Sequence, residues 1–206
     1  MNRDGSILLS VLVFAAVAIV LTLAFSNSIL NLQRNITGSK IVTQKQFQIS
    51  QILSQIRVEK SLLESTSLAG NEMLKACLLG GPVAATSCTT NCCDAQNSHG
   101  FIYLDPSDSS TDITTKKRLF GASADALVGY NQQGNQCSVT DVGYMYGLWG
   151  EFKAVCPGGE SACEYAEHLR IQIHLSVSPQ AATKMAHIKN QDYEAIYFNP
   201  RNYAPK

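Results

Sequence analysis

The sequence has no proline before Pro82 and, between Ser6 and Leu68, a single glycine, Gly38. The two residues that most often end a helix are therefore almost missing from the first third of the chain, which excludes a loop-rich or all-β start. No charged side chain occurs from Gly5 to Gln33, and no cysteine occurs before Cys77. Neither sign of charge is in excess, with 16 Lys+Arg against 16 Asp+Glu in 206 residues, so no overall basic field exists to attract nucleic acid. Charged residues make up only 16% of the chain, below the roughly 25% usual for soluble proteins. Gly-x-Ser-x-Gly, His-Glu-x-x-His, P-loop and dinucleotide-binding patterns are all absent. The chain is accordingly read as a non-enzyme without a cofactor. His99, His168, His174 and His187 are the only imidazoles open to acid–base work.

What is present begins with Ile7–Phe25, a 19-residue run interrupted only by Ser10 and Thr22. As a helix it is about 28 Å long, close to the hydrocarbon thickness of a bilayer. This predicts a transmembrane helix over 6–25. A cleaved secretory signal fits less well. Its apolar stretch is normally shorter, and the leading Met1-Asn2-Arg3-Asp4 carries side-chain charges that cancel. Apolar residues then recur at Ile29, Leu32, Ile36, Ile49, Ile52, Leu53, Ile56, Leu62 and Leu63. Steps of three and four are the mark of an amphipathic helix, so residues 26–76 are expected to continue the first helix, with a polar weak point at Thr37–Lys40.

A short polar leader ending at Gly5, followed by Ser6-Ile7-Leu8-Leu9-Ser10-Val11 and a long amphipathic continuation, resembles the type IV pilins and pseudopilins. The resemblance covers about 65 residues and implies the following. Residues 1–5 are a leader that a prepilin peptidase removes between Gly5 and Ser6, and the new terminus is a candidate for methylation. Ile7, Leu8, Leu9, Ser10 and Val11 open an assembly helix that rests in membrane lipid and then packs among other pilin or pseudopilin subunits. The major subunits of the family carry Phe or Met after the cut and Glu at the fifth mature position, where this chain has Ser6 and Ser10. That departure points to a minor pilin or tip pseudopilin of a pilus or of a protein-secretion filament. The implied location is a bacterial inner membrane, spanned once, with the head in the periplasm or on an extracellular filament. The competing reading is a single-span envelope binding or adhesion protein unrelated to filaments.

Residues 77–206 form the head. Leu78-Leu79-Gly80-Gly81-Pro82 stops the helix with glycine and proline. All seven cysteines lie here, at Cys77, Cys88, Cys92, Cys93, Cys137, Cys156 and Cys163. Such clustering favours disulfides and an oxidising compartment. Cys156 and Cys163 enclose the turn-rich Pro157–Ala162 and are the best single pair, while Cys77 bonded to Cys88, Cys92 or Cys93 would tie the next loop to the helix. The clearest strand is Leu169–Val177, whose apolar and polar residues alternate. Phe101–Leu104, part of Tyr144–Val155, and Tyr193–Phe198 are further strands. The expected fold is α+β: a long N-terminal transmembrane and amphipathic helix packed on a disulfide-rich, mainly antiparallel sheet.

Three other groups invite a chemical reading. Cys88, Cys92, Cys93 and His99 have ligand types suited to zinc but lack a Cys-x-x-Cys pair. Asp105, Asp108 and Asp112 are weak calcium candidates, set among residues that are also ordinary turn formers. Tyr144, Tyr146, Trp149 and Phe152 are either an adhesive patch or, more commonly for such residues, sheet core. The basic run Lys116-Lys117-Arg118 is too short to imply nucleic-acid binding and reads as a solvated turn.

Overall fold

With nothing to stop it, the first helix, α1, runs Arg3–Ile56. The computed structural model of the chain describes residues 3–56, 59–83, 88–184 and 189–200. It divides into two units, Met1–Val42 and Thr43–Lys206. In the first unit, the described side chains from Phe14 to Phe25 are apolar apart from Thr22, and exposed. Ser26, Asn27 and Ser28 then end the run. The side chains of Ile7–Val13 lie outside the described residues. Among the described residues, no helix is long and apolar enough to cross a membrane. This corrects the expected transmembrane helix over 6–25 packed on the sheet, and with it the single-span inner-membrane location.

In the second unit, the last part of α1 does pack on a sheet. Lys45, Ile49, Ile52 and Ile56, spaced by four, three and four, are all buried, and this spacing puts them on one helical face. Two shorter helices follow, α2 (Glu59–Ser65) and α3 (Glu72–Leu79), so the helical continuation is segmented. The break at Thr66–Gly70 contains Gly70 at φ +94° and is held by the buried Asn71. Asn71 Nδ2 donates to the carbonyls of Ser65 and Ile102, both at 2.7 Å, and its Oδ1 accepts from the Ile102 amide at 2.8 Å. One side chain thereby satisfies the carbonyl at the end of α2 and both backbone groups of Ile102.

The strands are β1 (Cys93–Asp94), β2 (Ser98–Phe101), β3 (Tyr103–Leu104), β4 (Arg118–Phe120), β5 (Val128–Asn131), β6 (Gln136–Cys137), β7 (Tyr144–Val155), β8 (Ala162–Cys163), β9 (His168–Val177) and β10 (Gln191–Phe198), with helix α4 (Pro179–Lys184) before the last. The main sheet has the order β10-β9-β7-β5-β6, with β2 also on β7. The pairs β1–β8 and β3–β4 form two small ribbons, and every strand pair is antiparallel. Alternation decides the faces. Leu169, Ile171, Ile173 and Leu175 of β9 and Tyr146, Leu148, Phe152 and Ala154 of β7 point inward, where they form one core with Ile49, Ile52 and Ile56 of α1. Fully burying one such Ile or Leu contributes about 1.5–3 kcal/mol. Gly150 belongs to the same inner row. A Cβ there would stand 2.4 Å from the Phe120 ring, and its absence lets Phe120 meet Phe101 edge-on at 5.0 Å and Tyr103 face-on at 5.2 Å.

Candidate functional site

The processing and assembly residues Gly5, Ser6, Ile7, Leu8, Leu9, Ser10 and Val11 have helical backbone within α1, and their side chains lie outside the described residues. Beyond them, the described part of the first unit is apolar and uncovered. Phe14 is 76% exposed, Val20 65%, Phe25 71% and Leu32 61%. At 100° per residue, the apolar positions from Phe14 to Phe25 surround the helix, whereas Phe25, Ile29, Leu32 and Ile36 fall on one stripe. A helix apolar all round normally lies buried in an assembly or a large core. None of the described residues of this unit covers it.

In the head, three disulfides join Cys77 to Cys93, Cys88 to Cys92, and Cys156 to Cys163. The first ties α3 to β1 across 16 residues, which constrains the unfolded chain by about 3 kcal/mol in the loop-entropy account. The sulfurs of Cys93, Cys156 and Cys163 come within 4.8 Å of one another, and these are the only His, Cys, Asp or Glu ligand atoms among the described residues that converge in this way. All three sulfurs are already bonded in disulfides. The zinc combination Cys88, Cys92, Cys93 and His99 is likewise consumed, since the cysteines are oxidised and His99 Nε2 lies 3.1 Å from Asp94. Cys137, on β6, keeps a free thiol, and burial followed by the nearby Asp141 pushes its pKa up.

The three calcium candidates cap their own turns. Asp105 accepts from the amide and hydroxyl of Ser107, Asp108 from those of Ser110, and Asp112 from those of Thr114, all at 2.6–3.0 Å. Asp108 also accepts from the Lys117 amide at 2.8 Å. That bond, with those from Ser110, holds its carboxyl down at about 2. Asp112 is lowered mainly by the Thr114 hydroxyl. Each carboxylate is thus directed at its own Asx turn rather than at a shared centre. In the basic run, Lys116 pairs with Glu64 at 2.7 Å, and the Lys117 amide is the one that Asp108 binds.

The aromatic group divides. Tyr146 and Phe152 are core residues, and the Tyr146 hydroxyl donates to Gln48 of α1. Trp149 lies on the opposite face of β7, where the β7–β9 register sets it beside His174. The two rings stack with centroids 3.9 Å apart. His174 Nδ1 is 2.7 Å from Asp192, and Nε2 is 3.7 Å from Glu151. Alternation along β9 places His174 on the wet face, but the ring is largely covered, its side chain only 18% exposed. The alternation does put Trp149, His174 and Asp192 on one face. Their adjacency depends on register across three strands, which no single strand encodes. His168 packs near Phe198 at 5.7 Å, and His187 lies outside the described residues. No family model, no curated protein and no solved structure matches the chain.

Proposed function

We propose that this chain is a minor pilin or pseudopilin, a structural subunit that joins a type IV pilus or a secretion-type filament through its N-terminal helix. The observation that supports the reading is the uncovered apolar surface of α1 between Phe14 and Ile36. Exposed apolar area on this scale is removed from water by association. The equivalent helices of neighbouring subunits supply a matching surface, apolar all round as far as Phe25 and then a stripe through Ile29, Leu32 and Ile36. The head carries three disulfides and a sheet core of its own, so its packing does not depend on that contact. Ser10, in place of the family's buried Glu, removes the carboxylate that repeating subunits pair with a neighbour's terminus, which suits a position at an end of the filament.

Processing tests the proposal directly. The chain is expressed with and without a prepilin peptidase, and its intact mass is measured. The expected product lacks Met1–Gly5 only when the peptidase is present. A chain that still begins at Met1 in the presence of active peptidase overturns the reading, as does one that begins near Asn27.

A further inference from the structure

The outer face of β7, β9 and β10 carries charges that the chain itself leaves unused. The ladders set four rows across these strands: Trp149–His174–Asp192, Glu151–Gln172–Glu194, Lys153–Arg170–Ile196 and Val155–His168–Phe198. The second row is acidic and the third basic. Lys153, Arg170 and Glu194 are exposed, and among the described residues none of the three forms an ion pair within the chain. Lys153 and Arg170 stand directly opposite each other, an arrangement that is unfavourable for like charges. Beside them Ile196 and Phe198 are 44% and 59% exposed. On this side of the sheet Ala122 lies over Gly100, the register partner of Glu151, and Leu127 lies over Gly147. Glu151 is half-buried, whereas Lys153, Arg170, Gln172 and Glu194 are exposed.

We propose that this face binds the same face of a second copy of the chain, about a twofold axis that crosses the strands between the acidic and basic rows. Such a rotation reverses strand direction. It lays Glu151 of each copy over Lys153 of the other and Gln172 over Arg170, so that each Arg170 is flanked diagonally by Glu151 and Glu194 of the other copy, and the like-charge juxtaposition is relieved in both copies at once. An axis along the strands would set acid on acid. The contact is isologous and closes on itself. Three strands about 4.8 Å apart and four rows about 6.8 Å apart give a flat footprint on the order of 400 Å². That is well below the roughly 800 Å² per partner of a stable complex. The contact is therefore weak, sensitive to salt, and effective between copies already held close together. It rests on the sheet alone and not on the filament reading.

The test mixes unlabelled and isotope-labelled full-length chains and couples them with a zero-length carbodiimide reagent. The expected product is a mixed-isotope link from Glu151 to Lys153. Arg170→Glu and Glu194→Arg should each lower the yield of the Glu151–Lys153 link about tenfold, by placing like charges in contact. The two changes together in one chain should restore it to within about threefold, and high salt should suppress it throughout. Leu32→Asp, aimed at the α1 stripe, should leave the link intact at raised concentration, so failure of helix assembly and failure of this contact are told apart. Absence of a mixed-isotope link up to millimolar chain overturns the proposal, as does a double variant no better than either single one.

Discussion

Ile52 and Leu32 lie on the same helix and belong to the same chemical class, yet Ile52 is 1% exposed and Leu32 61%. The contrast holds for whole segments. Ile49, Ile52 and Ile56 meet the inner face of the sheet, whereas Phe25, Ile29, Leu32 and Ile36 meet nothing within their unit. Helical spacing is equally regular in both, so periodicity reports only that a face is apolar. What covers that face is a separate fact, supplied by the sheet for the second segment and, in our proposal, by other subunits for the first.

The largest expected effect breaks this comparison by equal truncation on both sides. Ile52→Ala should destabilise the head by about 2–5 kcal/mol, since a core isoleucine leaves a cavity behind. Leu32→Ala should change it by less than about 0.5 kcal/mol, as is usual for exposed positions. Denaturant unfolding followed by a head reporter such as Trp149 fluorescence compares the two. Equal losses would mean that the exposed stripe is not separate from the head's stability.

Next in size is the contribution of the cross-links, which occur in the head alone. Replacing Cys77 and Cys93 together by alanine should cost about 3 kcal/mol, from the loop that the bond closes in the unfolded chain. The same unfolding experiment shows the loss, while circular dichroism of the N-terminal helix should be unchanged.

The smallest effect sharpens the comparison through pH. Asp108 is held at about 2 in the folded head, against an ordinary 3.8. Its bonds to the Lys117 amide and to Ser110 therefore favour the folded loop fully above the ordinary value, and that contribution is lost as pH falls through the folded one. The protection of the Lys117 and Ser110 amides from exchange, relative to an unstructured peptide at the same pH, should fall on acidification toward pH 2. The amides from Phe14 to Ile36 should show no matching titration, because no carboxylate occurs in that stretch.

Some of the head is local and therefore written along the chain. The alternation from Leu169 to Val177 identifies a half-buried strand because side chains on a strand take turns. Cys156 and Cys163 close a turn of their own, a matter of spacing. The Cys77–Cys93 bond is different, since it requires α3 and β1 to meet. So is Asn71, whose side chain bridges the end of α2 to the segment after β2. The helix from Ser26 toward Leu68 looks continuous in sequence because Thr66–Gly70 contains no proline, yet there the chain turns to let Asn71 and Ser65 reach the strands.

By itself the sequence determined that the chain opens in helix, that Leu169–Val177 is a half-buried strand, which faces of these elements are apolar, and where the cysteines and charges lie. Those properties follow from local periodicity and composition. Only the tertiary structure decided that the apolar face of α1 is covered from Ile49 onward and bare around Leu32, that His174 is stacked on Trp149 rather than free in water, and that the acidic and basic rows stand side by side. Each of these depends on register and packing between segments far apart in the chain, and is therefore a property of the folded whole.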